Sequence, residues 1–383
     1  MFIMAKKPLG SEEISKPLND EEIRKRMSFY VHEVGDGQKT ARSLTLEEVE
    51  QAFRYIFEGK CSEAQTATFL VALRIKGSSD EERFGLLNVL REYNEPPDFE
   101  FSDLLDYSGF YDGRDGELHL SPVIALVAAS AGARVVLTGG RSKNNNTLHR
   151  ITLQEVLQEL GIQVNISLHE AGDILRQVKV GFIDTHQVNR ALNNPTLDRI
   201  REDVGLRTPI NTMEVSLNPA NAHYHIRGMF HPGSKEQVAR VMARSGIKRG
   251  LMLTGIAGSG EIPTYKSAEG FEIIQGQPAC PSLTGRQGTG RVNNFSLDPA
   301  KLGFSPGKRA HLISETPKDQ AEKLVKILEG RAEDTLRDMT ILNAAIILYT
   351  SEKADSIEKG IQLAHKALAS QEPLKLLEAW RKA

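Results

Sequence analysis

Apolar positions recur at helical intervals once the chain passes Ser43. In TLEEVEQAFRYIFEG, Leu46, Val49, Phe53, Ile56 and Phe57 fall on one helical face. Thr45 and Glu48 have capping-box spacing, and Gly59 supplies a stop. The next segment repeats the scheme. Ser62 with Gln65 opens a helix whose buried face carries Ala67, Leu70 and Leu73 before Gly77. Ser79 with Glu82 opens a third, bearing Phe84, Leu87 and Leu90 until Pro96-Pro97 breaks the pattern. Three helices in quick succession predict a small all-α domain over 42–104, completed by helices near 187–210. Residues 1–41 are polar, charged and weakly periodic, which reads as an N-terminal extension with one helix over 20–31.

Past Phe101 the rhythm changes. SPVIALVAASAG is a helix of small residues. RVVLTGG, IQVNI, KVGFID, RGLMLTGI and EGFEIIQG are short apolar, β-branched runs that read as buried strands. TLQEVLQELGI is helical, as are KDQAEKLVKILEG, MTILNAAIILYT and SIEKGIQLAHKALAS in the tail. Strands alternating with helices predict an α/β domain over 105–383.

Composition narrows the class. Of 383 residues, 48 are Lys or Arg and 50 Asp or Glu, for a formal net charge of −2. That balance argues against a wholly basic nucleic-acid binder. No apolar run is long enough to span a bilayer, and the first residues lack the apolar core of a signal peptide. Two cysteines, Cys61 and Cys280, cannot staple a chain of this size. A cytoplasmic protein without membrane contact is expected.

The glycines then matter by position. Loops at 106–121 (DYSGFYDGRDGELHLS), 137–146 (LTGGRSKNNN) and 253–263 (LTGIAGSGEIP) follow apolar runs. Such loops let a backbone approach phosphate closely, although tight turns need glycine anyway. No Asp or Glu occurs from Leu118 to Gln154, a stretch holding Arg134, Arg141, Lys143 and Arg150. None occurs from Ile273 to Leu297, which holds Arg286 and Arg291. Anion sites need such local positive potential. His223 and His225 could flank a metal on a strand, but no third ligand is identifiable from spacing.

From about residue 42 to the end, the chain resembles the anthranilate phosphoribosyltransferase family. The likeness is carried by LTLEEVEQAFRYIFEGKCSEAQTATFLVALRIKGSSDEE, GLRTPINTMEVSLNPA, LDPAKLGF and TILNAAIILY. It implies a helical domain beside an α/β domain with a central mixed sheet, and a homodimer. The implied reaction, part of tryptophan biosynthesis, moves phosphoribose from phosphoribosyl pyrophosphate to anthranilate, with Mg²⁺ on the pyrophosphate.

Residue by residue, the resemblance is uneven. The family's G-T-G-G-D loop falls on Gly109-Phe110-Tyr111-Asp112-Gly113, with Asp112 one position early. Ser121 matches a serine near the pyrophosphate, and His119 replaces an asparagine. The motif K-H-G-N-R-S becomes Leu137-Thr138-Gly139-Gly140-Arg141-Ser142, keeping Gly139, Arg141 and Ser142. Arg201 and Asn211 take the acceptor-binding positions, and the magnesium pair Asp-Glu becomes Gly260-Glu261. These losses imply a divergent donor site. The region around HRITLQEVLQELGI is closer to a non-transferase branch of the family that binds nucleic acid. On that alternative, Arg134, Lys143, Arg150, Arg286 and Arg291 would form a basic patch.

Overall fold

The computed structural model describes residues 8–37, 39–109, 113–140, 150–230, 232–275 and 290–383. The chain divides into two compact units. Among the described residues, one comprises those up to Asn94 together with Asn189–Leu217, and the other holds the rest.

In the helical unit each helix starts where a side chain satisfies a free amide. Thr45 and Glu48 cap the helix Leu46–Phe57, Ser62 and Gln65 cap Glu63–Lys76, and Ser79 and Glu82 cap Asp80–Glu92, each reciprocally. The helix Leu46–Phe57 packs on Asp80–Glu92. Gly85 makes that approach possible, because a Cβ there would lie 2.5 Å from Val49 Cγ1. The expected N-terminal extension is not an appendage. Asn19 and Glu22 cap a helix over Asp20–Gly35 whose Ile23, Met27, Tyr30 and Val34 are buried. This helix packs on Glu63–Lys76, so its apolar face belongs to the core of the unit. The helices Pro195–Val204 and Pro209–Met213 complete the unit. The division falls after Asn94, ahead of the boundary expected at 104.

The second unit is built on seven strands: β1 (Leu104–Ser108), β2 (Arg134–Gly139), β3 (Val180–Asp184), β4 (Tyr224–Gly228), β5 (Arg249–Leu253), β6 (Ala268–Ile274) and β7 (Arg291–Leu297). Their order is β3-β2-β1-β4-β5-β6-β7. The first five run parallel, and β6 and β7 are added antiparallel, giving an α/β fold with a mixed sheet. The segment IQVNI is not one of its strands. Ile162, Val164 and Ile166 do alternate into the core, but their backbone joins no ladder. The helix Ser121–Ser130 is buried along almost its whole length and packs on β2 and on the helices Asp334–Thr350 and Glu372–Lys382. Its alanines keep it thin enough to be surrounded. Among the described residues no helix is long and apolar enough to cross a membrane.

Candidate functional site

The five parallel strands bring their carboxyl ends to one edge, and the chain runs outward from β1 in both directions. Ligands of open α/β sheets bind outside the carboxyl ends at such a reversal. Here the reversal lies between β1 and β4. Gly109 follows β1 with φ +111°, and a Cβ on it would sit 3.4 Å from the Gly228 amide nitrogen. The loop after β5 closes on the same place. A Cβ on Gly228 would come within 2.3 Å of the Ser259 backbone. One on Gly260 would lie 2.9 Å from Tyr107 Cε2 and 3.1 Å from Ile226 Cγ2. These glycines let backbones meet where side chains cannot.

Polar groups hold the strand ends in register. Thr138 Oγ1 donates to Asp106 at 2.6 Å, and Ser108 Oγ lies 2.8 Å from His225 Nε2, all four residues being buried. At β3, Asp184 accepts from Gln154 Nε2 at 2.6 Å and from the His186 amide at 2.9 Å. Gly139 ends β2, and its carbonyl accepts from Thr185 Oγ1 at 3.0 Å.

The charged centre of this edge is a buried ion pair. Glu261 Oε1 accepts the Ser121 amide at 2.9 Å, at the first residue of the helix Ser121–Ser130. Glu261 Oε2 accepts Arg114 Nη1 at 2.7 Å. Glu261 is 0% exposed and Arg114 4%. Arg114 is fixed in turn: its backbone exchanges hydrogen bonds with Ile151 at 2.8 and 3.0 Å, and its Nη1 also donates to the Leu118 carbonyl. Arg114 Nη2 and Ser121 Oγ are buried with no hydrogen-bond partner among the described residues. His119 Nε2 lies 2.9 Å from the Ile151 carbonyl, which can only accept, so Nε2 is assigned the proton. Burial, reinforced by the Arg114 charge, holds the His119 pKa well below the usual imidazole range, so the ring is neutral at pH 7. Burial, with the Glu261 charge, pushes the Tyr107 phenol up, and it stays protonated.

Magnesium on Glu261 does not fit this arrangement. Both carboxylate oxygens are engaged, and the position that would bring a second carboxylate is Gly260, walled by Tyr107 and Ile226. No group of three His, Cys, Asp or Glu able to hold a metal is present among the described residues. His225 instead meets Ser108 across the β1–β4 pairing.

Of the other expected residues, Gly109, Ser121, Gly139 and Glu261 converge on the carboxyl edge. Asp112, Arg141, Ser142, Lys143 and Arg286 lie outside the described residues. Arg201 and Asn211 belong to the helical unit. Arg201 is fully buried and donates to Glu214 Oε1 at 2.9 Å, and the Asn211 side chain accepts the Thr208 amide at 2.8 Å as a helix cap. Of the expected basic patch, the described members Arg134, Arg150 and Arg291 do not come together. Arg134 starts β2 at the opposite, amino edge, bonded to Asp103 at 3.0 Å and stacked 4.3 Å over Phe101. Arg291 starts β7, five strands away in the sheet, roughly 24 Å at the usual strand spacing. Of the described members, Arg150, beside Ile151, stands near the carboxyl edge. Arg114, a cation that does occupy this edge, is not singled out by the sequence; its one signal is a lone arginine within a glycine-rich loop.

Comparisons with known proteins agree with this architecture. Residues 104–372 match the glycosyl transferase family a/b domain, and residues 28–93 its helical bundle domain. The anthranilate phosphoribosyltransferase of Pelotomaculum thermopropionicum is 30% identical over 331 residues, 86% of this chain and 90% of that protein. That of Petrotoga mobilis is 26% identical over 351 residues, 92% and 95% of the two chains. The crystal structure of the Thermus thermophilus enzyme has a TM-score of 0.77 at 25% identity, covering 94% of this chain and 99% of that one. The Saccharomyces cerevisiae enzyme in complex with PRPP and Mg shares the fold, with a TM-score of 0.76 at 16% identity over 94% and 97% of the chains. On these matches, spanning both units, the chain belongs to the anthranilate phosphoribosyltransferase family of glycosyl transferases.

Proposed function

We propose that the protein holds a phosphorylated ribose of the phosphoribosyl pyrophosphate class at the carboxyl ends of β1, β2 and β4 and transfers the phosphoribosyl group to an aromatic amine such as anthranilate. The observation that carries this reading is the glycine-lined reversal between β1 and β4, with a helix N-terminus and a buried arginine beside it. In the transfer the bond from ribose carbon to pyrophosphate oxygen breaks, the amine nitrogen bonds to that carbon, and the amine loses a proton. Negative charge grows on the departing group, and fixed donors at this edge offset it. Gly109 and Gly139 admit the ligand to the backbone, and Ser121 offers its hydroxyl. Asp112, Arg141 and Ser142 share the role by family likeness.

Loss of a single preorganised donor costs ~10²–10³ in rate, and Glu261 is closed to magnesium by Arg114, so on this reading turnover falls at least that far below relatives with an open carboxylate pair. The test is anthranilate fluorescence with phosphoribosyl pyrophosphate, alongside calorimetric titration of the donor. Donor binding with slow anthranilate consumption supports the reading. Absence of both overturns it, and turnover at ordinary enzyme rates overturns the divergence. On the same reading the protein is a cytoplasmic homodimer, which light scattering on the purified chain tests.

A further inference from the structure

The carboxylate that family likeness would place on magnesium is Glu261, and in this chain a guanidinium lies on it at 2.7 Å. A divalent ion could reach Glu261 only by displacing Arg114, which is buried and pinned through its backbone and through Leu118. The displaced guanidinium would then be left buried against a second cation, a costly arrangement. Arg114 therefore already supplies the positive charge at this point.

Only one arm of Arg114 is used. Nη1 serves Glu261 and Leu118, while Nη2 has no partner among the described residues. The hydroxyl of Ser121, whose own amide binds the other oxygen of the same carboxylate, is also buried without one. An unmade buried donor is expensive, so two of them flanking one carboxylate at a helix N-terminus point to a missing acceptor. The neighbouring His119 and Tyr107 are uncharged and do not compete for it. The acceptor is anionic and oxygen-rich, because a guanidinium fork matches phosphate geometry and the helix dipole favours negative charge.

We propose that Arg114 replaces the divalent cation: its Nη2 and the Ser121 hydroxyl form a metal-free subsite for a phosphate or pyrophosphate group. The inference rests on the proposed function for its ligand class. The fixed cation and the closed carboxylate are properties of this chain's own residues.

The test is calorimetric titration of the full-length protein with inorganic pyrophosphate, in EDTA and then with Mg²⁺. Pyrophosphate is expected to bind in EDTA with no gain from Mg²⁺. Arg114→Lys keeps the charge beside Glu261 but removes the fork, and should weaken binding about 10- to 100-fold, as loss of a charge-assisted hydrogen bond does. Ser121→Ala should weaken it by roughly 3- to 10-fold. Should Arg114→Lys fail to fold, the double variant Arg114→Met/Glu261→Gln removes both charges together and should abolish binding in EDTA while circular dichroism stays native. Binding that requires Mg²⁺, or that survives both arginine variants unchanged, overturns the metal-free subsite and leaves the functional reading standing. Failure of both pyrophosphate and phosphoribosyl pyrophosphate to bind, with or without Mg²⁺, overturns the functional reading as well.

Discussion

Gly260→Asp would write the family's Asp-Glu pair back into the sequence, and the structure predicts that it damages the protein without creating a metal site. A Cβ at 260 stands 2.9 Å from Tyr107 Cε2 and 3.1 Å from Ile226 Cγ2. Both neighbours are 1% exposed and cannot swing aside. Overpacking of this kind costs about 1–3 kcal/mol. The carboxyl group beyond that Cβ enters a closed space beside the Glu261 charge, and an uncompensated buried polar group adds roughly 1–3 kcal/mol. The total, about 2–6 kcal/mol, lowers the unfolding temperature by at least ~4 °C for a domain of this size. Differential scanning fluorimetry in EDTA and in MgCl₂ reads both halves of the prediction. A new metal site would raise stability in MgCl₂ by about 2.7 kcal/mol at a hundredfold excess over its dissociation constant. Unchanged melting in EDTA together with a magnesium-dependent rise would refute the packing argument and return Glu261 to metal binding.

Other consequences can be checked separately. Glu214→Ala removes the carboxylate facing fully buried Arg201 and should cost about 3–5 kcal/mol, seen as a lower urea midpoint; normal stability with anthranilate dependence lost would instead make Arg201 an acceptor ligand. Thr45→Ala deletes the cap of the helix Leu46–Phe57 and should cost ~1 kcal/mol by urea titration. Burial works to raise the Glu48 pKa, but hydrogen bonds from Arg42 and the amides of Leu9 and Thr45 outweigh it, so the folded value lies below the ordinary 4.5. Its contribution is therefore complete above pH 4.5 and fades as pH falls through the lower folded value, so Glu48→Gln should flatten the urea midpoint's decline below pH 4.5. Burial pushes the Cys61 thiol up to about 12, so a Cys280→Ser variant should react only slowly with Ellman's reagent at pH 8.

What can be read from sequence is mainly what is local. The capping boxes at Thr45, Ser62 and Ser79 depend on a spacing of three residues, and all three form. RVVLTG, RGLML and EGFEII are legible as strands because each is a short run rich in apolar residues that pair along the sheet. IQVNI misleads because its alternation is real: the side chains enter the core, but a strand also needs a neighbour with free hydrogen-bonding groups. β4 is hard to see because YHIRG buries a histidine and an arginine that only partners such as Ser108 make tolerable. The central ion pair joins residues 147 positions apart and leaves no mark in either local pattern. Family likeness finds Glu261 and gives it a metal. The cation it holds comes from the chain itself.

The buried helix Ser121–Ser130 also has a consequence for the order of events during synthesis. Two of the helices that enclose it, Asp334–Thr350 and Glu372–Lys382, are the third-last and the last α-helices made. At ~5–20 residues per second the ribosome needs roughly 12–50 s to travel from the end of this helix to the last one. Throughout that interval the apolar surface of Val123, Ile124, Leu126 and Val127 lacks its final cover, and the loop carrying Arg114 has no settled helix to lean on. The edge where Arg114 meets Glu261 is encoded early but is enclosed only when nearly the whole chain has been made. A C-terminal truncation of even the final helix should therefore uncover part of Ser121–Ser130.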